Sequence, residues 1–509
     1  MVADDRYRTP DTDLLIVGAG PAGLSAAIAA RAAARAQGTT LRIDVIDKAS
    51  DPGSHALSGA IVDPEPLRLL GGGDRLLSDA ITVPRLRLVA LRPQTAHVVP
   101  SACVPRFLTG GGCFVHLPTL VRSLTALAAE RGVQVHSGLA VQGLAYHQGR
   151  VTGVHIGEGN PQRRQTVRGV CEQITARQVL IADGANGVCS AAARLQAGLA
   201  PQVWSLGIKW LLHDRCADRP SCDHLFGWPL PPTQCGGGFC YRPGDGLAHV
   251  GLVVPLSRHA PQRDPVAYWE QLQAHPYIQA RCRSPILCAG ARLLPEGGSI
   301  SMGPLCVPGA LLAGDAAGLV DVRRQRGVEL ALLSGMAAGR TAVLSAHTAV
   351  DTMERTYRRL LGQMGVMRHL RRGRNFRQVF DVPAGMLLSP VQELLPVQLP
   401  HRTQRTRNRG RPDRRRSKDV LSQWSRGRYP RHVLPHVGLN DPSQCLTCAH
   451  RWGQPCISTC PAGVFAPRRD GHIGIAHDNC VHCRSCAAIC PQGVVDWTVP
   501  AEGSGPRLC

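Results

Sequence analysis

Apolar residues along this chain gather in short runs, several of them closed by glycine and followed by a small-residue stretch of helical length. Leu14 to Val17 is the first such run, and its length and composition predict a buried parallel strand. It opens directly into Gly18-Ala19-Gly20-Pro21-Ala22-Gly23 and then into an alanine-rich stretch, Leu24 to Ala36, that predicts a helix. A second run, Leu41 to Ile46, ends at Asp47 and Lys48. Two later runs repeat the theme. Val179 to Ala182 leads into Asp183-Gly184-Ala185-Asn186-Gly187, and Ala310 to Ala313 leads into Gly314-Asp315-Ala316-Ala317-Gly318, ahead of a small-residue helix from about Val328 to Arg340. Strand, glycine turn and helix in this order predict an α/β fold with α+β parts, built on a Rossmann-like sheet.

The first glycine turn carries a mechanism. Gly18 permits the tight turn, Gly20 lets backbone approach a pyrophosphate, and Gly23 lets helix and strand pack closely. Pro21 and Ala22 open the helix, whose free N–H groups and partial positive charge suit phosphate. Asp47 stands about where a ribose-binding acid is expected. This motif alone does not separate FAD from NAD. The strand ends at Asp183-Gly184 and Gly314-Asp315 decide for FAD, because three strand ends converging on one sheet edge suit a long dinucleotide. Asp315 has a lesser alternative reading as a simple helix N-cap.

The twenty cysteines are unevenly spread, with nine between Cys445 and Cys509. No positively charged start followed by an apolar stretch marks the N-terminus as a secretory signal, so metal ligation explains these cysteines better than a disulfide framework. Cys480-x2-Cys483-x2-Cys486-x3-Cys490-Pro491 has the bacterial ferredoxin spacing. Its first three thiols, with Cys460 of Cys460-Pro461, form one expected [4Fe–4S] ligand set. Cys445, Cys448, Cys456 and Cys490 would complete a second by the reciprocal crossover. The seven-residue gap between Cys448 and Cys456 is longer than usual, which leaves two alternatives: one cluster with spare cysteines, or zinc on Cys445 and Cys448. The eleven cysteines from Cys103 to Cys306 show no such spacing and read as small core residues, as His55, His116 and His482 read as structural.

Charge adds one feature. The net +22 is concentrated between His401 and Arg431, a run that suits a solvated linker, an anionic lipid surface or, last, nucleic acid. An aromatic content of 4% argues against a stacking surface for single strands. No stretch of eighteen apolar residues predicts a transmembrane helix.

With these motifs in order, the chain resembles the electron transfer flavoprotein–ubiquinone oxidoreductases and their relatives among nitrogen-fixation flavoproteins and geranylgeranyl reductases. The likeness extends to His55-Ala56-Leu57-Ser58-Gly59-Ala60, to Gly227-Trp228-Pro229 with Gly236-Gly237-Gly238-Phe239, to Gly290-Ala291-Arg292, and to Cys460-Pro461-Ala462-Gly463-Val464. It implies flavin contacts at Leu57, Ser58 and Gly59. It also implies a quinone pocket at Gly227, Trp228, Pro229, Gly236, Gly237 and Phe239, and a single [4Fe–4S] cluster on Cys460, Cys480, Cys483 and Cys486. The implied activity is that of an electron-transferring-flavoprotein dehydrogenase. It would take electrons from reduced electron transfer flavoprotein to a membrane quinone, working peripherally at the cytoplasmic side of the inner membrane.

The expected domains are a discontinuous FAD-binding domain (11–200 and 294–400), an inserted quinone domain (201–293), a basic linker (401–437) and a ferredoxin-like module (438–509). The apolar Val382 to Pro400 beside the basic run is a candidate membrane-surface segment. The sequence departs from the family after Gly318. Asp321-Val322-Arg323-Arg324-Gln325-Arg326 replaces the expected run, Gly327 is kept, and Val328 stands where the family has a threonine near the flavin. Two rival readings follow: a ferredoxin-fed isoprenoid reductase, or a non-catalytic electron carrier that docks through Arg323 to Arg326.

Overall fold

A glycine turn that brings a helix back over its own strand requires a parallel sheet, and that sheet organises the molecule. The computed structural model describes residues 10–57, 59–157, 171–185, 187–198, 203–216, 219–231, 234, 236–256, 264–346, 348–380 and 435–500. The expectations for Ser58, for Val382 to Pro400 and for the basic run lie outside these residues.

The nucleotide sheet runs in the order Cys306–Val307, Ala310–Leu312, Cys171–Ile181, Thr12–Val17, Ile43–Asp47, Gln134–Ser137. Every pairing from Ala310–Leu312 to Gln134–Ser137 is parallel, with Val17 beside Ile46 and Ile181. The C-terminal ends of these strands therefore share one edge, as a dinucleotide site requires. An antiparallel pair, Val141–His147 and Arg150–Gly157, extends the long strand Cys171–Ile181.

Helix Pro21–Ala36 crosses helix Val328–Leu344 on one face of the sheet. The crossing is close because a Cβ on Gly335 or Gly339 would overlap the carbonyl oxygens of Ala22 and Ala26. Small residues are the only ones that fit there.

A second sheet covers the first. It runs Cys282–Pro295, Trp204–Asp214, Leu247–Pro255, Gly237–Arg242, Ser221–Gly227, Arg87–Leu91, Ala96–Val98. Its last two strands come from well upstream of the 201–293 segment. They are tied in by parallel pairing and by Arg87, whose Nε lies 2.6 Å from the buried Asp223 carboxylate. Stacked Trp210 and Trp269, with ring centroids 3.3 Å apart, fill its core.

Among the described residues, the C-terminal module contains two small antiparallel strand pairs and three short α-helices. Val437–Leu439 pairs with Val495–Trp497, and Phe465–Pro467 with Ile473–Ile475. Helices Gln444–Trp452, Pro455–Thr459 and Ser485–Ile489 carry or flank the cysteines. Its buried side chains join the apolar core of the covering sheet in one continuous cluster, so it is packed into the body of the protein.

Candidate functional site

A cavity of about 580 Å³ lies where the two sheets and the cysteine module meet. That volume falls in the range of sites enclosing small molecules. Gly18, Gly20, Pro21 and Ala22 line it at the helix start, with Asp47 from the end of the second strand and Lys48, Leu57 and Gly59 from the segment that follows it. Asp183, Gly184, Asp315, Gly327 and Val328 line it from the two later strand ends. Gly23, Gly314 and Gly318 do not line it. A Cβ on Gly23 would overlap the Gly18 carbonyl oxygen, whereas a Cβ on Gly20 would meet nothing within 4 Å. The open face of Gly20 is thus turned to the cavity.

The acids are held in different ways. Asp47 accepts from Ala19 N at 2.7 Å and from Ala49 N at 2.8 Å, which ties the second strand end to the glycine turn. Asp183 Oδ2 accepts from Cys189 N and Ser190 N, while its buried Oδ1 has no hydrogen-bond partner. Asp315 faces the cavity, and burial pushes its carboxyl up to about 6. An unpartnered carboxylate oxygen, an open glycine and a helix N-terminus around one elongated space are what the hydroxyls and pyrophosphate of FAD need.

Lys209 and Arg484, which sequence reasoning passed over, also line this cavity, as does His482, which the sequence suggested was structural. Lys209 Nζ donates to Gly59 O at 2.8 Å and lies 5.7 Å from the Phe239 ring centroid, and burial lowers its pKa to about 7. Its only signal in the sequence is a lone cation in the apolar run Ser205 to Leu212. Lys48 is likewise brought to about 7, by burial first and by Arg292 second.

Of the expected quinone residues, Phe239 lines the cavity, together with Gly207, Ile208, Val253, Leu293 and Leu294. Gly227, Trp228, Pro229, Gly236 and Gly237 do not line it. Trp228 packs on the His275 ring, and a Cβ on Gly236 or Gly237 would press on the carbonyl oxygens of Val253 and Leu225. These glycines serve strand packing in the covering sheet.

The cysteines form two groups. Cys445, Cys448, Cys456 and Cys490 line one small enclosed space with Pro455 and Pro491. Cys460, Cys480, Cys483 and Cys486 are buried beside the large cavity, and Cys483 lines it. Burial pushes Cys480 up to about 12 and Cys483 up to about 11, and in each the neighbouring thiols add to the rise. Cys456 is raised by burial and then by Cys490, Cys448 and Cys445. Thiols that hinder one another's ionisation in a dry site call for a cationic partner, and an iron–sulfur core supplies one.

The loop Arg323 to Arg326 corrects one expectation. Arg323 and Arg326 are buried, so the loop does not form an exposed docking patch. Arg326 reaches Glu329 at 3.0 Å and donates to Gly110 O and Gly111 O, Arg324 reaches Glu329 at 3.0 Å, and Arg323 lies over the Phe107 ring. Glu329 also accepts from Asp63 N at 2.6 Å. The arginines look like a surface run only while the acid three to five residues on is left out.

Comparison with known proteins agrees in three places. Residues 204–294 match the ubiquinone-binding domain of electron transfer flavoprotein–ubiquinone oxidoreductase, and residues 426–509 match the 4Fe-4S domain of the same family. Residues 16–76 match an NAD(P)-binding Rossmann-like domain. The mitochondrial electron transfer flavoprotein–ubiquinone oxidoreductase of Oryza sativa is 30% identical over 97% of this chain and 92% of its own length. The mouse protein of that name is 29% identical over 97% and 88%. Among solved structures, a geranylgeranyl bacteriochlorophyll reductase-like protein from Thermoplasma acidophilum aligns with a TM-score of 0.57 at 20% identity. It covers 75% of this chain and 90% of its own, a likeness of fold.

Proposed function

Because the chain belongs to the electron transfer flavoprotein–ubiquinone oxidoreductase family, we propose that it is an oxidoreductase passing electrons from reduced electron transfer flavoprotein to a membrane quinone, with FAD and 4Fe-4S chemistry. FAD supplies a centre able to hold one or two electrons, and a cluster supplies one that exchanges single electrons. The observation that carries this reading is a shared wall. His482, Cys483 and Arg484, from the ferredoxin-type loop, line the same cavity as the glycine turn at Gly18 to Ala22.

The residues divide the work by position. Gly18, Gly20 and the helix start hold phosphate, while Asp47, Asp183 and Asp315 meet hydroxyls along the dinucleotide. Leu57, Gly59, Gly327 and Val328 border the flavin end. Gly207, Ile208, Phe239, Val253 and Leu294 offer an apolar surface for a quinone ring and keep water from it. Lys209 brings a cation or a proton to this end of the cavity. Cys460, Cys480, Cys483 and Cys486 are assigned to one cluster, and Cys445, Cys448, Cys456 and Cys490 to a second.

Among the described residues, no helix is long and apolar enough to cross a membrane. A peripheral seat on anionic lipid, at the cytoplasmic side of the inner membrane, is supported by the apolar stretch Val382 to Pro400 followed by the basic residues from Arg402 to Lys418. Nucleic acid has no part in this reading.

The test is anaerobic purification, assay of FAD, iron and sulfide, and quinone-analogue-dependent oxidation of reduced electron transfer flavoprotein. About eight irons per FAD with turnover is the expected result. About four irons with turnover would remove the second cluster and leave the function standing. Full cofactor loading without quinone reduction would overturn the function.

A further inference from the structure

Beside the flavin end of the cavity lies a group that the electron-transfer reading leaves unused. His116 follows the strand Gly110–Val115, Asp245 sits in the turn before the strand Leu247–Pro255, and His249 lies within that strand. One ligand atom from each lies within 4.8 Å of the others. His116 Nε2 is 3.0 Å from Asp245 Oδ2, and Asp245 Oδ1 accepts from Leu247 N at 3.0 Å, which fixes the carboxylate.

His249 is the informative member. Its side chain is fully buried, and neither ring nitrogen has a hydrogen-bond partner. The ring packs 4.8 Å from Phe114 and 5.3 Å from His116. An imidazole buried with both nitrogens unsatisfied carries a desolvation cost that nothing in its surroundings offsets. A bound cation would offset it through the nitrogen lone pair.

We propose that His116, Asp245 and His249 form a binding site for a single zinc-like divalent cation, with water completing the coordination. Two imidazoles and one carboxylate suit zinc, whereas calcium and magnesium favour all-oxygen shells. Asp245 supplies the negative charge and His116 keeps an edge open to solvent as an entry path, with side-chain exposures of 19% and 28%. The charge opposing a cation is Lys209, whose Nζ is drawn to Gly59 O on the cavity side. The site joins the three-stranded antiparallel sheet of Ala60–Val62, Gly110–Val115 and Ile81–Arg85 to the covering sheet, so its effect is to clamp these two parts against each other at Gly59.

This proposal stands apart from the electron-transfer reading, and its test does not depend on turnover. Holoprotein purified anaerobically, its cluster cysteines occupied by iron, is dialysed against buffered zinc and assayed for zinc, iron, sulfide and FAD. Wild type should retain about one zinc per chain, with an X-ray absorption first shell of nitrogen and oxygen at about 2.0–2.1 Å and no sulfur at about 2.3 Å. Asp245→Asn, at the solvent edge, and His249→Ala should each weaken zinc retention at least about tenfold, with iron, sulfide and FAD unchanged in Asp245→Asn. Absence of zinc from wild type, a sulfur shell, or full retention in either variant would overturn the site.

Discussion

Gly20 and Gly23 lie three residues apart in one turn, yet the protein needs glycine at each for a different reason. At Gly23 a methyl group would overlap the Gly18 carbonyl oxygen, a backbone atom that cannot move aside. At Gly20 a methyl group would meet no protein atom within 4 Å and would project into the cavity instead. Gly23→Ala should therefore lower stability by about 1–3 kcal/mol, the usual cost of overpacking, and lose FAD as a consequence. Gly20→Ala should melt like wild type once FAD has been removed from both, and still bind FAD more weakly. Thermal melts of the two apoproteins, followed by fluorescence titration with FAD, separate the two effects. Equal melting losses in both variants would show that Gly20 serves packing as well.

At the scale of elements, the glycine turns and the cysteine spacings were legible because their chemistry is local. The three strand ends expected near Val17, Ile181 and Leu312 do share one edge of one sheet. What lay hidden depends on long-range pairing. The covering sheet takes Arg87–Leu91 as a parallel neighbour of Ser221–Gly227, and no local pattern in either segment names the other. Lys209, His116 and His249 were equally hidden, since a cation or imidazole beside apolar residues looks incidental until strand register sets Lys209 beside Gly251 and near His249. The cysteine helices give the prediction at this scale. Pro455–Thr459 carries Cys456 at its start and is followed by Cys460, and Ser485–Ile489 does the same for Cys486 and Cys490. Each short helix thus offers one thiol to each group, as the ferredoxin crossover requires. Cys490→Ala should then lower iron from about eight to about four per FAD and leave the Cys460 set loaded, read by iron and sulfide assay with low-temperature EPR. About four irons in both proteins would mean that the Cys445 group holds no cluster, and about eight in both that its cluster does not depend on Cys490.

Across the whole molecule, the modules are joined at a seam where a single ring touches both sides. Trp497 is buried, with the Arg484 guanidinium 4.6 Å from its centroid and His482 5.5 Å away within the cysteine module. From the nucleotide domain, Lys48 approaches the same ring at 6.0 Å. Just beyond, Gln142 Nε2 donates to Val499 O at 2.6 Å and to Gly157 O at 2.8 Å, which fastens the end of the module to the nucleotide sheet. Since His482, Cys483, Arg484 and Trp497 are cavity wall, the module's position and the shape of the FAD site are one property of the molecule. Trp497→Ala should cost about 3–5 kcal/mol as a large buried truncation, and the loss should appear at both sites. FAD per chain and electron exchange between the two centres should fall together, while Trp497→Phe, which keeps a ring in the seam, should recover most of both. A variant that lost iron but kept full FAD would place Trp497 in the cysteine module alone. The two centres would then owe their proximity to the Gln142 contacts and to the apolar core beneath the covering sheet.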